Sequence, residues 1–349
     1  MADKRLSWAD IAKGIGIILV VFAHTLVPKM RDASIIVKFI WIFIYNFHMP
    51  LFFFISGWLF ERNLSRYNDK AKFIGGKARL LMLPYLVFSL FAYAVIFAAM
   101  KVPMLAGVLS GGGYGTPTVK SMALGILFYY NHADQHLWFV YSLFIVFAVN
   151  ILLPKVMKSK AMLLVLLLLY VSKAFVHYPA ILDYTASDLL FFSLARVMCA
   201  DRKSAVTKKP LMLCAAAVVF LTANVIYSYF YVTEMPQGIL KAVLYITRAV
   251  CSVGGIVTVC SVSDYLSKTK LSAFFTQLGM YSYDIYLIHA PFLVSGMMGI
   301  LLAYSPLPSY VCSAAVTVVG LALPYIISRF VIRKCAPLAF MLLGAKKRS

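Results

Sequence analysis

Hydrophobic positions in this chain do not follow the short amphipathic periods of soluble helices or strands. They gather into runs of nearly 20 residues that recur along the chain, separated by short segments rich in Lys, Arg, Gly and Pro. An α-helix rises about 1.5 Å per residue, so about 20 apolar residues cross the roughly 30 Å hydrocarbon core of a bilayer. Ten such runs can be placed, at about 10–28, 36–60, 80–100, 137–154, 161–176, 181–199, 210–232, 239–262, 282–303 and 309–332. The pattern predicts an all-α integral membrane protein with about ten transmembrane helices. Residues 1–349 are expected to form a single polytopic domain with no soluble domain appended.

Two shorter apolar segments do not fit as spans. Residues 119–131 follow the Gly-rich stretch 109–117 and are too short to cross, so they predict an interfacial or re-entrant helix on the outer side. They lie in the longest outer loop, about 101–136, and long ordered loops are usually functional. A second short helix is expected at 272–280, on the inner surface before the ninth span. No internal repeat is visible, which weakens an inverted-repeat transporter reading.

Composition agrees with the pattern. The chain is 62% hydrophobic and 13% charged, with a mean hydropathy of +0.87, whereas soluble domains average about 45–50% apolar and about 25% charged. Lys4 and Arg5 before an apolar run imitate a signal peptide, but no small-residue cleavage site follows His24, so a retained first helix is expected. The formal charge of +21 would suggest nucleic acid in a soluble protein. Here its distribution gives a different account. With the N-terminus inside, segments 1–9, 61–79, 155–160, 200–209, 263–281 and 333–349 hold about 22 Lys and Arg, against a handful in the outer loops. Lysine and arginine collect on the cytoplasmic side, so both termini are expected there, the last ending in the basic tail Lys346-Lys347-Arg348. The expected partner is the lipid bilayer, not nucleic acid. The six cysteines (Cys199, Cys214, Cys251, Cys260, Cys312 and Cys335) lie in or beside apolar runs without metal-ligand spacing, so they read as packing residues and no metal site is expected.

Polar residues inside the runs carry the candidate chemistry, because an ionisable group in a span is costly. Lys13 and His24 are eleven residues apart on the first helix. Eleven steps of about 100° come within about 20° of three turns, placing both on one face about 16 Å apart. Such a stripe suits a helix lining a polar passage, although Lys13 alone is consistent with snorkelling and His24 alone with helix packing. His48 lies in Asn46-Phe47-His48-Met49-Pro50, where the proline is expected to kink the second span and free carbonyls that His48 either satisfies or overlooks as part of a pocket. Arg196 and Arg248, with Asp188 two turns before Arg196, are expected to pair between helices or, alternatively, the two arginines to form a line of cations for a CoA phosphate, and Glu61 to pair with Arg62. On the outer side, Asn131-His132-Ala133-Asp134-Gln135-His136 precedes Trp138, joining polar groups to an aromatic face as a sugar site would. His132 and Asp134 read equally well as caps of the fourth span. His289 reads as helix packing or as a site residue, and His177 as incidental.

Several of these segments fall in a familiar order. Trp8 to His24, Phe47-His-Met-Pro-Leu-Phe-Phe-Phe-Ile-Ser-Gly-Trp-Leu-Phe60, Arg79-Leu-Leu-Met-Leu-Pro-Tyr85, His136-Leu-Trp-Phe139 and Leu278 to His289 together resemble the membrane-bound acyltransferase-3 family. The resemblance implies a fold of about ten transmembrane helices. It also implies transfer of an acyl group, usually acetyl, from cytoplasmic acyl-CoA to a hydroxyl of a cell-surface glycan or lipid-linked sugar across a bacterial cytoplasmic membrane. The acyl-CoA is then a donor substrate, with no permanently bound cofactor. The family's first-helix motif places a basic residue, commonly arginine, ahead of a histidine; Lys13 stands there, keeping the charge but not the planar fork. On this basis His24 is the expected general base or transient acyl carrier, with His48 as its catalytic neighbour. Asp10, Lys13 and Arg79 are expected on the donor side and His136 and Trp138 on the acceptor side, with Arg62, Arg66, Lys70, Lys72 and Lys77 as further inner cations. From another class, a transporter or flippase for a glycan or lipid-linked precursor needs the same passage but no base. Neither the acceptor nor the oligomeric state follows from the sequence.

Overall fold

The computed structural model describes residues 6–103, 105–107, 115–128, 131–201 and 210–345. The Gly-rich stretch 109–114, the basic segment 202–209, Lys4, Arg5 and the tail Lys346-Lys347-Arg348 lie outside these residues. Among the described residues the structure is helical throughout, with no strand.

The helices are α1 (Ser7–Thr25), α2 (Pro28–Ala33), α3 (Ile35–Tyr45), α4 (His48–Asn63), α5 (Lys70–Lys77) and α6 (Leu83–Ala99). They continue with α7 (Val119–Leu127), α8 (Trp138–Leu152), α9 (Lys160–Ser172), α10 (Ala180–Asp201), α11 (Pro210–Val232) and α12 (Gly238–Leu266). The last are α13 (Ser272–Met280), α14 (Ser282–Ile288), α15 (Met297–Tyr304), α16 (Ser309–Phe330) and α17 (Ala336–Leu343). Seven helical stretches are long and apolar enough to cross a membrane, and α14 with α15 makes an eighth, bent by 52°. The other two expected spans are helical but differ in kind. α9 is apolar with only 13 residues, and α10 carries Asp183, Asp188 and Arg196 along its length.

α1 is the central helix, with residues from Trp8 to Thr25 buried on most of its circumference. Its N-terminal end is crossed by α13 at backbone contact: a Cβ on Gly14 would collide with the Phe275 carbonyl, and one on Gly279 with the Asp10 carbonyl. The short helix expected at 272–280 is therefore packed against α1 itself. Gly57 plays the same part between α4 and α10, where a Cβ would meet the Phe192 carbonyl. Missing side chains let helix backbones approach, which is how apolar helices associate where no hydrophobic effect separates them from lipid.

The segment expected at 119–131 is helical over Val119–Leu127, opened by a capping box between Thr118 and Ser121. Its carbonyl end is tied down by the Tyr85 hydroxyl, which donates to the Ile126 carbonyl at 2.9 Å.

Proline acts differently from the simple kink expected in the second span. The break falls at Asn46–Phe47, and Pro50 occupies the first turn of α4, where its missing N–H would have no intrahelical partner. The Ile44 carbonyl accepts from His48 Nδ1 at 2.8 Å, and the Asn46 carbonyl accepts from the Ser252 hydroxyl at 2.5 Å.

The charges within spans are also resolved. Arg196 is fully buried, yet its partner is not Asp188: Nε donates to Glu61 at 2.8 Å, and the other nitrogens donate to Asn150 Oδ1 at 2.8 Å and the Pro154 carbonyl at 3.0 Å. Glu61 also pairs with Lys158 at 2.7 Å, rather than ending its role at neighbouring Arg62. Asp188 accepts from Ser142 Oγ at 2.5 Å. The pairing is between helices, as expected, with the carboxylate supplied by α4 and not by Asp188.

Candidate active site

Two His-x-Pro sequences, His48-Met49-Pro50 and His289-Ala290-Pro291, lie where helices are broken. Proline cannot donate to the preceding turn, so carbonyls are released inside an apolar bundle and must find other donors. At the second break the Tyr286 carbonyl gathers two histidines. Nδ1 of His289 lies 2.7 Å from the Tyr286 carbonyl and 3.2 Å from that of Ile285. Nε2 of His136, arriving from the start of α8, lies 3.1 Å from the same Tyr286 carbonyl.

His24 completes the cluster from α1. Its ring centroid is 5.0 Å from that of His289 and 6.4 Å from that of His136, and the His136 and His289 rings are 5.2 Å apart. Nδ1 of His24 is 2.9 Å from the Val20 carbonyl and 3.2 Å from Nε2 of His289.

These contacts determine where the protons sit. A carbonyl only accepts, so Nδ1 of His289 carries hydrogen and its Nε2 holds a lone pair. By the same argument Nδ1 of His24 carries hydrogen, shared between the Val20 carbonyl and the His289 lone pair. In the neutral ring, Nε2 of His24 is then an acceptor, and it has no hydrogen-bond partner among the described residues. A histidine oriented this way holds an unprotonated nitrogen ready to take a proton, with a neutral imidazole behind it to receive the hydrogen of the resulting cation.

His136 sits between the Tyr286 carbonyl, on its Nε2 side, and the Asp134 carboxylate, on its Nδ1 side. Asp134 therefore pairs with His136 rather than capping the fourth span, and its helical turn has no side-chain cap. Burial pushes the Asp134 carboxyl above its ordinary range, and the neighbouring His136 opposes that rise. The Tyr286 hydroxyl returns a hydrogen bond to the His136 carbonyl, closing the ring of contacts.

The remaining expected residues divide by position. His48 is buried beside the cluster, 4.8 Å from Tyr45 ring to ring, and Tyr45 in turn faces His24 at 6.4 Å. Its Nδ1 is committed to the Ile44 carbonyl. Trp138 stacks on Tyr184 at 4.8 Å. At the far end of α1, Lys13 is bound by Asp10 at 2.7 Å, one turn back on the same helix. Arg79 lies in the π-helical stretch Ala78–Met82, and its Nε donates to the Gly344 carbonyl at 3.1 Å, docking the end of α17. Of the inner cations, Lys77 lies 3.7 Å from the Phe147 ring centre, and Lys70 donates to the Leu152 carbonyl at 3.2 Å. His289 belongs with His24 and His136. The signal that marks it in the sequence is the repeated His-x-Pro, one copy at each break.

With this geometry in place, comparison with protein families is decisive: the model of the family described as "Acyltransferase domain", Acyl_transf_3, matches residues 6–328. The chain belongs to the acyltransferase-3 family. No curated protein and no solved structure matches it. Family membership and the apolar helices together make this a multi-pass membrane acyltransferase. The matched region includes every member of the histidine cluster of this acyltransferase and ends within α16.

Proposed function

We propose that this acyltransferase moves an acyl group, acetyl in the simplest case, from cytoplasmic acyl-CoA to a hydroxyl of an extracytoplasmic glycan or lipid-linked sugar in a bacterial cytoplasmic membrane. The observation that carries the reading is the proton arrangement on His24, whose Nδ1–H is held by Val20 and His289 while Nε2 is left as a base. The acceptor oxygen attacks the thioester carbonyl as His24 Nε2 takes the hydroxyl proton. The tetrahedral intermediate then collapses, the carbon–sulfur bond breaks, and the proton passes from His24 to the departing thiolate. The products are an ester and free CoA thiol.

The same nitrogen supports the carrier variant. Nε2 attacks the thioester, the carbon–sulfur bond breaks, and the Nδ1 proton of the acyl-imidazolium passes to the departing thiolate; the acceptor hydroxyl then displaces the ring and returns its proton to His24. Lys13 and Asp10 sit about three turns below, on the donor side, where a cation attracts a polyanionic CoA.

The test uses purified protein in nanodiscs with acetyl-CoA and isolated cell-surface glycan. His24→Ala is expected to keep acetyl-CoA binding and lose glycan acylation by at least about a hundredfold. Full acylation by that variant overturns the assignment. In proteoliposomes, movement of glycan across the bilayer without ester formation supports the transporter reading instead. Mass spectrometry of surface glycans with and without the protein identifies both acyl group and acceptor.

A further inference from the structure

On the side of the cluster away from Lys13, two arginines stand without a carboxylate partner among the described residues. Arg31, on α2 just beyond His24, has its guanidinium 4.0 Å from the Trp41 ring centre, and its Nε is buried with no hydrogen-bond partner. Arg248, within α12, lies 5.4 Å from the Tyr227 ring centre. A continuous aromatic ladder joins them: Trp41 to Tyr231 at 6.2 Å, then Tyr231 to Tyr227 at 6.3 Å. A branch leads from Trp41 through Tyr45, 4.3 Å away, to His48 and His24.

Other buried ionisable groups among the described residues have polar partners, Asp188 through the Ser142 hydroxyl and the following through an opposite charge. Arg196 has Glu61, Lys173 has Asp183 at 3.0 Å, and the buried carboxylate Asp284 has Arg333 at 2.7 Å. The outer half of a membrane protein is also where lysine and arginine are scarce. Two unmatched guanidinium groups there, one with a buried orphan N–H, leave a site short of negative charge. Between them lie aromatic faces suited to the apolar face of a sugar ring. The partly exposed Arg31, Trp41, Tyr231 and Arg248 leave this wall open.

We propose that Arg31 and Arg248 bind an oxyanion on the acceptor, so that the acylated substrate is a phosphate- or carboxylate-bearing sugar and not a neutral glycan. This rests on the reading above, in which the acceptor meets His24 from this side. Guanidinium groups bind carboxylate and phosphate through parallel charged hydrogen bonds, and flanking aromatic rings orient the sugar so that a hydroxyl reaches Nε2 of His24.

The test is equilibrium binding to the full-length protein in phosphatidylcholine nanodiscs, with glucose 1-phosphate, glucuronate and glucose as probes. One or both anionic probes are expected to bind at least tenfold more tightly than glucose, with affinity falling as salt rises. Arg31→Gln and Arg248→Gln are each expected to weaken anionic binding about tenfold and leave acetyl-CoA binding unchanged, and Arg31→Lys to retain part of it. His24→Ala is expected to bind the anionic probes as the parent does. Equal binding of glucose, or undiminished anion binding by a folded double glutamine variant, overturns the proposal. So does failure of both anionic probes to bind in phosphatidylcholine while phosphatidylglycerol binds, because the cations then read lipid headgroups. The parent protein's preference among probes needs no variant to fold. If anionic probes bind but no acyl transfer to any sugar is detected, the acyltransfer reading fails while the oxyanion site stands.

Discussion

Nε2 of His289 lies 3.2 Å from Nδ1 of His24, and the hydrogen between them belongs to His24. That single contact sets the direction of the proposed chemistry. The helix break after Ile288 directs the Nδ1–H of His289 onto backbone carbonyls, which leaves its other nitrogen to accept, and His24 is thereby held with its free nitrogen outward. His289 acts here as a positioning residue whose influence passes through His24.

Replacing His289 therefore tests orientation rather than binding. His289→Ala is expected to lower kcat about 10- to 100-fold with the KM for acetyl-CoA unchanged, in line with the loss of an orienting partner behind a reactive imidazole. His289→Gln, whose side-chain oxygen can still accept from His24 Nδ1, is expected to recover part of that loss. Equal kcat for the alanine variant and the parent would show that the contact is only structural.

At the inner end of α1, the 2.7 Å pair between Lys13 and Asp10 gives a prediction with a sign. If Lys13 attracts the donor, Lys13→Gln raises the KM for acetyl-CoA about tenfold, since one partly exposed cation is lost from the entry path. Asp10→Asn removes the competing carboxylate and is expected to lower that KM. Steady-state kinetics at two salt concentrations separates these effects, because attraction at a partly exposed site weakens as salt rises.

Much of this was legible before any coordinates. Run length and composition gave the helical membrane class, and the order of motifs from Trp8 to His289 gave the family. Helical periodicity carried His24 and Lys13 onto one helix, at opposite ends. Contacts between elements distant in sequence were harder to read. Glu61 and Arg196 are far apart in sequence, so no local rule favours that pair over Asp188 and Arg196. Arg79 lies in a matched motif, yet its guanidinium docks the end of α17, which only tertiary packing reveals. His289 carried a visible signal in the proline two residues later, whose meaning lies in the carbonyls it releases.

The Glu61–Arg196 pair yields a stability prediction. Arg196 is fully buried, and Glu61 is its charge partner. Glu61→Gln leaves that guanidinium without a counter-charge, and breaking a buried pair on one side costs about 3–5 kcal/mol. Glu61→Met with Arg196→Met removes both charges and is expected to be less destabilised than Glu61→Gln alone. Unfolding in detergent by heat or denaturant ranks the variants, and additive losses in the double variant would contradict this account.

The charge bias predicts a cytoplasmic end for the chain, and Cys335 offers a way to observe it. This exposed thiol follows Arg333 and Lys334 and precedes α17. In a variant retaining Cys335 alone, a membrane-impermeant maleimide is expected to label inside-out vesicles and to leave intact cells unlabelled. Labelling from the outside would invert the bundle and with it the assignment of donor and acceptor sides.

The crossing of α1 and α13 is set by backbone, not by side chains that can move aside. A methyl group on Gly279 would collide with the Asp10 carbonyl, whereas one on Gly75, in α5, meets nothing within 4 Å. Both glycines are helical, so alanine is the better helix former at each by about 1 kcal/mol. Only the neighbour differs. Gly75→Ala is expected to leave the melting temperature unchanged or slightly raised. Gly279→Ala must push α13 away from α1 and is expected to cost about 1–3 kcal/mol through overpacking. Because the displaced carbonyl belongs to Asp10, the same variant is expected to raise the KM for acetyl-CoA as the Lys13 pair shifts. A Gly279→Ala protein with parental melting and parental KM would mean that the two helices separate freely, and that the donor end of α1 is not held by this contact.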